Sequence, residues 1–338
     1  MSPVSVNDPR LRFVTLRNDR GWSARWLTLG ARLTSLVVPD PKGVPREVVL
    51  GYDSVEPYVA GTPWLGCVIG RYTNIIEDAN YSIDGERYEL RPNAGRHQMN
   101  GGRQGLHRVL WDVELTDDPA GPGVRFCHTS PPGAGGHPGE LTVTVTWRLE
   151  HTDTVSVTFD ATTTAPTHAS LSAHPYFNLA DDRRQTILNH LLQLGAPTYT
   201  PVRAGNIPTG EIRSLSGTEF DFASPTVIGS RRNGQYDQSF VLGHAGPAAT
   251  LWDPGSGRRL TVTTSLPGLQ LDTGTYLTER QRGAPRGFGA HGGVCLGAQA
   301  LPNSPNIPAF PSTLLRPGQR LTAWIRYRLD HDPSLGSG

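Results

Sequence analysis

Turn-forming residues interrupt this 338-residue chain about every eight to fifteen positions, and this spacing limits what the chain can fold into. Glycine (39) and proline (29) are enriched, and apolar and polar residues alternate between the breaks. Alternation with a period of two is typical of half-buried strands, and frequent turns favour a sandwich or barrel over helix-linked parallel strands. No stretch has a convincing helical period beyond three turns. We therefore predict an all-β chain, a large antiparallel β-sandwich with few helices.

Three segments carry this alternation most clearly. Apolar residues alternate from Leu141 to Leu149 and again from Val155 to Phe159, which predicts a long hairpin turning at 151–153. A last strand is predicted from Leu321 to Leu329. We interpret 121–139, which is rich in proline and glycine, as a surface loop. No linker-like shift in composition divides the chain, so we predict one β domain over residues 1–338.

Composition excludes several classes of function. The formal net charge is only +1, which argues against an electrostatic nucleic-acid binder. No run of about eighteen apolar residues predicts a membrane span, and no secretory signal is visible at the start. The three cysteines are widely spaced, which suggests reduced thiols and a cytoplasmic location. Lys42, in a turn sequence, is the only lysine, so lysine-based covalent catalysis is discarded.

No phosphate-binding loop, nucleophile elbow or zinc motif is present, so we expect no cofactor and no metal. The remaining candidates are polar residues in apolar segments. His174, in a segment that also holds Tyr176 and Phe177, suits either a sugar pocket with a proton-handling imidazole or a buried core position. Arg71 could clamp a ligand through two hydrogen bonds, or it could be a solvated residue at the end of a strand. Asp237 could bind two hydroxyls or cap a turn.

Taken together, the motifs of the chain resemble those of the aldose 1-epimerase (galactose mutarotase) family, from about Phe13 to Leu329. Each motif is weak alone, but seven of them occur in order at the family's spacing. They are Gly70-Arg71-x-x-Asn74, Asn93-x-Gly95 with Met99-Asn100-Gly101-Gly102 and Trp111, His174-Pro175-Tyr176-Phe177-Asn178-Leu179, Tyr199-Thr200-Pro201-Val202 to Glu211, Gly217-Thr218-x-Phe220-Asp221-Phe222, Tyr236-Asp237-x-x-Phe240, and Gln299-x-Leu301-Pro302-Asn303.

The resemblance implies a galactose mutarotase-like supersandwich, an open cleft for a hexose and proton transfer without a cofactor. In that reaction a carboxylate removes the proton of the anomeric hydroxyl, a histidine protonates the ring oxygen, and the opened ring closes on the other carbonyl face. By the resemblance, His174 falls on the histidine acid. Arg71 falls on the arginine that binds sugar oxygens, Asp237 on the aspartate that binds hydroxyls, and Gln299 on a glutamine near the base. We also expect Gln299 and Tyr176 to bind substrate.

Three positions depart from the family pattern. The family's catalytic glutamate position reads Gly297, the second histidine position reads Asn100, and a neutral tyrosine position reads Asp272. Glycine cannot accept a proton, so we expect Asp272 to be the replacement base, with a solvated turn residue as the alternative. Asn100 is expected to bind substrate by hydrogen bonds. His97 is a candidate for the missing imidazole and a second binding residue, and His291 is a further candidate.

Three hypotheses follow from a retained pocket with an altered base. The first is an isomerase that interconverts the α and β anomers of an aldose. The second is a repurposed isomerase, cyclase or lyase of the same fold that acts on another carbohydrate-like or natural-product substrate. The third is a non-catalytic sugar-binding protein. In each case the expected partner is a small carbohydrate, with no nucleic acid and no membrane, and the chain is a monomer or homodimer.

Overall fold

The computed structural model of the chain describes residues 4–61, 64–182, 184–243, 246–277 and 288–332. Within these residues the chain is mostly β, as the alternation predicts. The strands in chain order are β1 (Phe13–Arg17), β2 (Ser23–Leu27), β3 (Arg32–Pro39), β4 (Pro45–Glu47), β5 (Val68–Ile69), β6 (Ile75–Ile76), β7 (Asn80–Ile83), β8 (Glu86–Glu89), β9 (Gln98–Met99), β10 (Asp112–Thr116), β11 (Gly123–Ser130), β12 (Leu141–Glu150), β13 (Thr154–Thr163), β14 (Thr167–His168), β15 (Ser172–Ala173), β16 (Tyr176–Phe177), β17 (Leu191–Leu194), β18 (Thr198–Tyr199), β19 (Val202–Arg203), β20 (Ile207–Pro208), β21 (Arg213–Ser214), β22 (Thr226–Val227), β23 (Asp237–Val241), β24 (Ala249–Trp252), β25 (Arg258–Thr264), β26 (Gly268–Asp272), β27 (Val294–Gln299), β28 (Leu314–Leu315) and β29 (Leu321–His331).

Helical structure is sparse in the described part of the chain. It comprises one α-helix, α1 (Glu56–Ala60), and short 3-10 helices at Glu77–Ala79, Gly102–Gln104, Leu106–Arg108, Ala134–Gly136, Ile187–Asn189, Ile228–Ser230, Arg232–Gly234 and Ser304–Asn306. No helix among the described residues is both long enough and apolar enough to span a bilayer.

Two large antiparallel sheets dominate the fold. A nine-stranded sheet has the order β10-β11-β12-β13-β29-β25-β24-β17-β22, and a six-stranded sheet has the order β16-β27-β26-β23-β18-β21. A four-stranded sheet, β1-β2-β3-β4, and two-stranded pairs complete the described sheets. The predicted hairpin is confirmed as β12 and β13, which pair from Leu141↔Thr163 to Glu150↔Thr154. The predicted last strand is confirmed as β29.

The interpretation of 121–139 as a surface loop is wrong. Strand β11 occupies Gly123–Ser130 and pairs with both β10 and β12. Val124 and Phe126 are fully buried there, because each points into the core from alternate positions of the strand. The prolines and glycines that suggested a loop lie at the two ends of this strand, where they form its turns.

The large sheets bury their facing surfaces against one continuous core. From the nine-stranded sheet, Val145, Trp147 and Phe159 enter this core. From the six-stranded sheet the core-facing residues are Phe240, Leu269, Leu271, Val294, Leu296 and Ala298. Because side chains alternate along a strand, the residues between these on β23, β26 and β27 point to the opposite face. That opposite face carries polar residues.

The assignment of one domain to residues 1–338 stays a prediction.

Candidate active site

A pocket lies over the polar face of the six-stranded sheet, and it brings most of the expected residues together. His174, Asn100, Asp237, Asp272 and Gln299 all line it. The other lining residues are Trp64, Asn74, Met99, Val202, Asn206, Ser239, Gln270, Tyr276 and Pro302. Sequence reasoning assigned no role to these others.

Strand register explains why residues far apart in the chain meet here. Asp237 on β23 lies directly opposite Asp272 on β26, and Ser239 lies opposite Gln270. Gln270 is in turn opposite Gly297 on β27. These five residues therefore share one face of the sheet, and those on the same strand are two positions apart.

His174 lies just before β16, where two backbone hydrogen bonds fix it. Its N–H donates to the carbonyl of Cys67 at 3.0 Å, and its own carbonyl accepts from the Gly66 N–H at 2.9 Å. The side chain is partly exposed to the pocket, while its Nδ1 is buried without a protein partner. Burial lowers the pKa of His174, and the negative charge of nearby Asp272 opposes that shift. The imidazole is therefore accessible to a ligand and electrostatically linked to a carboxylate.

Asp272 is buried at the end of β26 rather than solvated in a turn. Its Oδ2 accepts hydrogen bonds from the hydroxyls of Tyr176 at 2.7 Å and Tyr276 at 2.9 Å, and its Oδ1 accepts from the Gly274 N–H at 2.8 Å. The two tyrosine hydroxyls also contact each other. Burial and the charge of Asp272 raise the pKa values of Tyr176 and Tyr276 strongly, so both remain hydrogen-bond donors. The carboxylate is thus fixed in place beside the histidine.

Asp237 lies at the mouth of the pocket with its side chain exposed. Its Oδ1 accepts from Gln270 Nε2 at 2.6 Å and its Oδ2 from Asn206 Nδ2 at 2.7 Å. The protein atoms around the carboxyl displace water and, with the charge of Asp272, raise the pKa of Asp237 to about 6. This carboxyl therefore binds a proton more readily than an ordinary aspartate does.

Arg71 requires a correction, because the structure does not bring it to the pocket. The side chain is buried and all five guanidinium N–H donors are occupied. Nε donates to Ser130 Oγ at 2.9 Å, and the two terminal nitrogens donate to four carbonyl oxygens, those of Ser130, Pro131, Pro138 and Gly139. The guanidinium has no donor left for a sugar, so Arg71 holds the segment 130–139 in place instead.

Three other expected residues also lie outside the pocket lining. His97 accepts a hydrogen bond at Nδ1 from the Asp78 N–H at 3.0 Å and lies beside the Asp78 carboxylate. Tyr176 is fully buried. Its hydroxyl donates a hydrogen bond to Asp272, and its ring centroid is 5.2 Å from that of His174. His291 donates from Nδ1 to the Thr273 carbonyl at 3.2 Å.

Gly297 has room for a side chain. A Cβ built there would be 3.5 Å from Cys295 Sγ and 3.9 Å from the carbonyl oxygens of Ala173 and Gln270, which are ordinary contact distances. Asn100 lines the pocket with its Oδ1 accepting from the Asn74 N–H at 2.7 Å. No group of three or more metal-binding side chains is found among the described residues.

Two of the pocket residues that sequence reasoning missed had a usable signal. Gln270 and Ser239 are the polar members of strands whose alternate residues are apolar and core-facing. Trp64, Asn206 and Tyr276 come from connecting segments, where no periodicity marks the side of the chain that faces the pocket.

Comparisons with known proteins identify the family of the chain. The family model described as Aldose 1-epimerase matches residues 12–328. Galactose mutarotase from Bos taurus is 36% identical over 312 residues, covering 89% of this chain and 90% of that protein. Aldose 1-epimerase from Escherichia coli K12 is 34% identical over 331 residues, covering 94% of each chain. The crystal structure of an aldose epimerase homologue from C. elegans superposes with a TM-score of 0.87 at 28% identity, covering 95% of this chain and 99% of that one. The chain belongs to the aldose 1-epimerase family of isomerases.

Proposed function

We propose that the protein interconverts the α and β anomers of an aldose by acid/base ring opening, with His174 as the acid and Asp272 as the base. One observation carries this proposal. An accessible imidazole and a fixed carboxylate line the same pocket, which also holds buried polar atoms without protein partners. A sugar has hydroxyls on every side and would supply those partners.

The acid step follows from the position of His174. A protonated imidazole gives its proton to the ring oxygen, the bond between that oxygen and the anomeric carbon breaks, and an aldehyde forms. Burial lowers the pKa of His174, which makes its imidazolium a stronger acid than an exposed one. The Asp272 charge acts in the opposite direction and limits this lowering of the pKa.

The base step uses the Asp272 carboxylate. It accepts the proton of the anomeric hydroxyl while the ring opens, and the C1–C2 bond then rotates before both protons return. Three hydrogen bonds to its oxygens orient the carboxylate. Two of the donors are tyrosine hydroxyls that stay protonated, so they hold the carboxylate in place without competing for the proton.

Substrate hydroxyls have several polar atoms to bind. Ser239 Oγ, Gln270 Oε1 and Gln299 Nε2 are buried in the pocket wall without a partner, and Asp237 and Asn100 add hydrogen-bonding groups. A buried polar atom without a partner costs about 1–3 kcal/mol, and a bound ligand recovers part of that cost. Gly297 lies on the same face and, by the family pattern, marks the usual position of the base.

Anomer exchange measured by proton NMR tests the proposal. Selective inversion of one anomeric signal of glucose or galactose gives the exchange rate with and without protein. We expect His174→Ala and Asp272→Asn each to reduce kcat/KM by about 10²–10⁴-fold. His97→Ala, a histidine outside the pocket, serves as the matched control and should stay within about twofold of the unmodified protein.

Two results would contradict the proposal and favour the other hypotheses. Sugar binding without accelerated exchange would indicate a non-catalytic sugar-binding protein. Neither binding nor acceleration with common hexoses would favour a repurposed enzyme of this fold.

A further inference from the structure

Three hydrogen-bond acceptors converge at the edge of the pocket formed by β23 and β26. They are the Asp237 carboxylate, Ser239 Oγ and Gln270 Oε1, and all three residues line the pocket. Ser239 and Gln270 are direct cross-strand partners, and Asp237 is two residues from Ser239 on the same face. The three acceptors are therefore neighbours fixed by strand register, not by a loop.

The hydrogen bonds within this group determine which atoms remain unpaired. Gln270 donates through Nε2 to Asp237 Oδ1 at 2.6 Å, which leaves Oε1 as the free end of the amide. Gln270 Oε1 and Ser239 Oγ are both buried without a partner, in residues that are 9% and 3% exposed. A ligand at this edge is thus met by a carboxylate and two unpaired oxygens.

The charge of the pocket is not balanced by the described residues that line it. Asp237 and Asp272 are directly opposite on adjacent strands, and no arginine or lysine lies among those lining residues. Even when His174 is protonated, as the acid step requires, its single positive charge balances only one of these two carboxylates. An adjoining cleft shares Asp237 and contains Arg213 and Arg232, but these arginines pair with Glu211 and Glu219 respectively.

We propose that this edge recognises a protonated amino group, so that the preferred substrate is an amino aldose; this rests on the function proposed above. An ammonium group has three N–H donors and a positive charge, which match three acceptors and an uncompensated carboxylate. A hydroxyl donates only one hydrogen bond and carries no charge. Sugar phosphates and uronic acids would meet the same carboxylates as like charges.

The strand order indicates where on the sugar the amino group lies. Asp237 on β23 lies directly opposite Asp272 on β26, the proposed base. Neighbouring strands are about 4.8 Å apart. That spacing matches the separation of the substituents on C1 and C3 of a pyranose ring. With the anomeric hydroxyl at Asp272, the amino group therefore belongs on C3.

The test compares three sugars that differ only at C3: 3-amino-3-deoxyglucose, glucose and 3-acetamido-3-deoxyglucose. Anomer exchange is measured by NMR at constant ionic strength, at a pH above the pKa of about 6 of Asp237 and below the pKa of the amine. We expect kcat/KM for the amino sugar to exceed that for glucose by at least about tenfold, since hydrogen bonds to charged groups are stronger than neutral ones. The acetamido sugar, which has no charge, should be no better than glucose.

Variants identify the group responsible. Asp237→Asn keeps the shape and removes the charge, so the ratio of amino sugar to glucose should fall to near one. Ser239→Ala, which removes one acceptor, should reduce the ratio about two- to fivefold. Asp19→Asn, which makes the same charge change at the surface beside His151, is the matched control and should leave the ratio unchanged.

A ratio near one in the unmodified protein, or a ratio that Asp237→Asn does not change, would overturn the inference. If no sugar shows accelerated exchange, the proposed function fails and calorimetric titration decides the inference separately. Binding of the amino sugar at least about tenfold tighter than glucose, lost in Asp237→Asn, supports it. Equal affinities reject it.

Discussion

Two regions of the sandwich bury polar side chains in opposite ways. Around Arg71, every guanidinium donor has an acceptor in the segment 130–139, at distances of 2.7–3.0 Å. In the pocket, four buried atoms have no protein partner, namely His174 Nδ1, Ser239 Oγ, Gln270 Oε1 and Gln299 Nε2. From the sequence we expected a role at the sugar site for Arg71 in the first region and for His174 and Gln299 in the second.

The difference separates a structural role from a ligand-binding role. A buried polar group that is fully hydrogen-bonded stabilises the fold, and nothing remains for a ligand to contact. A buried polar group without a partner costs stability until a ligand supplies one. Substitutions in the two regions should therefore change different measured quantities, stability in the first and activity in the second.

The largest expected effect on stability is that of Arg71→Met. Removing the guanidinium leaves buried carbonyl oxygens without donors, so the free energy of unfolding should fall by about 3–5 kcal/mol. KM for the sugar, measured on the folded fraction, should not change. Arg20→Met, which removes an exposed arginine paired with Asp153, is the control and should cost less than about 1 kcal/mol. If Arg71→Met instead raised KM at unchanged stability, Arg71 would be a sugar ligand after all.

A glutamate at position 297 should increase activity in the pocket. Gly297→Glu adds a carboxylate where a Cβ fits without close contact, and the charges of Asp237 and Asp272 should raise the pKa of that carboxylate, which suits a base. We expect a gain in kcat/KM of about 10²-fold. Gly297→Ala is the control, with activity within a few-fold of the unmodified protein. The measurement is the same NMR exchange experiment.

Asn100→His should add to that gain by restoring an imidazole beside the pocket. Its effect is smaller, because Asn100 also accepts the hydrogen bond from the Asn74 N–H. A folded double variant without any gain would show that Gly297 and Asn100 do not occupy the family's catalytic positions.

The local pattern was enough to predict the strands but not their partners. Alternation from Leu141 to Leu149 predicted β12 correctly, because a period of two is set by the strand backbone itself. The register that places Asp237 opposite Asp272 joins strands about thirty-five residues apart and depends on packing across the whole sheet. Sequence therefore identified both carboxylates as candidates without showing that they are neighbours.

The structure places neither Arg71 nor His97 in the pocket lining, and the physical reason is the same for both. Four of the five acceptors of Arg71 are main-chain carbonyls that lie 59 to 68 residues away, and any residue type presents a carbonyl, so no sequence motif marks them. His97 is only three residues from Asn100. It lies in a tight turn with Ala94, however, and its imidazole accepts a hydrogen bond from the backbone N–H of Asp78. Residue type and spacing do not give side-chain direction in such turns.

The pH dependence of activity tests the assignment of His174 as the acid. Burial lowers the pKa of His174 below its usual 6.5, so its imidazolium fraction falls about tenfold for each pH unit above that value. We expect kcat/KM to decline with this slope as pH rises from about 6.5 to 8.5. A rate that is constant or rises over this range would show that the imidazolium is not the proton donor.

The smallest expected effect is a difference in the free energy of unfolding between two serine-to-alanine variants, one from each region. Ser130→Ala removes the acceptor of the Arg71 Nε hydrogen bond, so the free energy of unfolding should fall by about 1–3 kcal/mol. Ser239→Ala removes a buried hydroxyl without a partner, so the free energy of unfolding should stay the same or rise by up to about 1 kcal/mol. Urea denaturation of both variants gives the two values, and the NMR exchange experiment gives the activity.

The activity should follow the opposite pattern. Ser239→Ala should raise KM several-fold, because the bound sugar loses a hydrogen-bond partner, whereas Ser130→Ala should leave KM unchanged. The two serines are similarly buried, 2% and 3% exposed, so burial alone cannot produce the difference. Equal losses of stability in both variants would mean that Ser239 is satisfied within the folded protein. The unpaired atoms of the pocket would then no longer be evidence for a ligand.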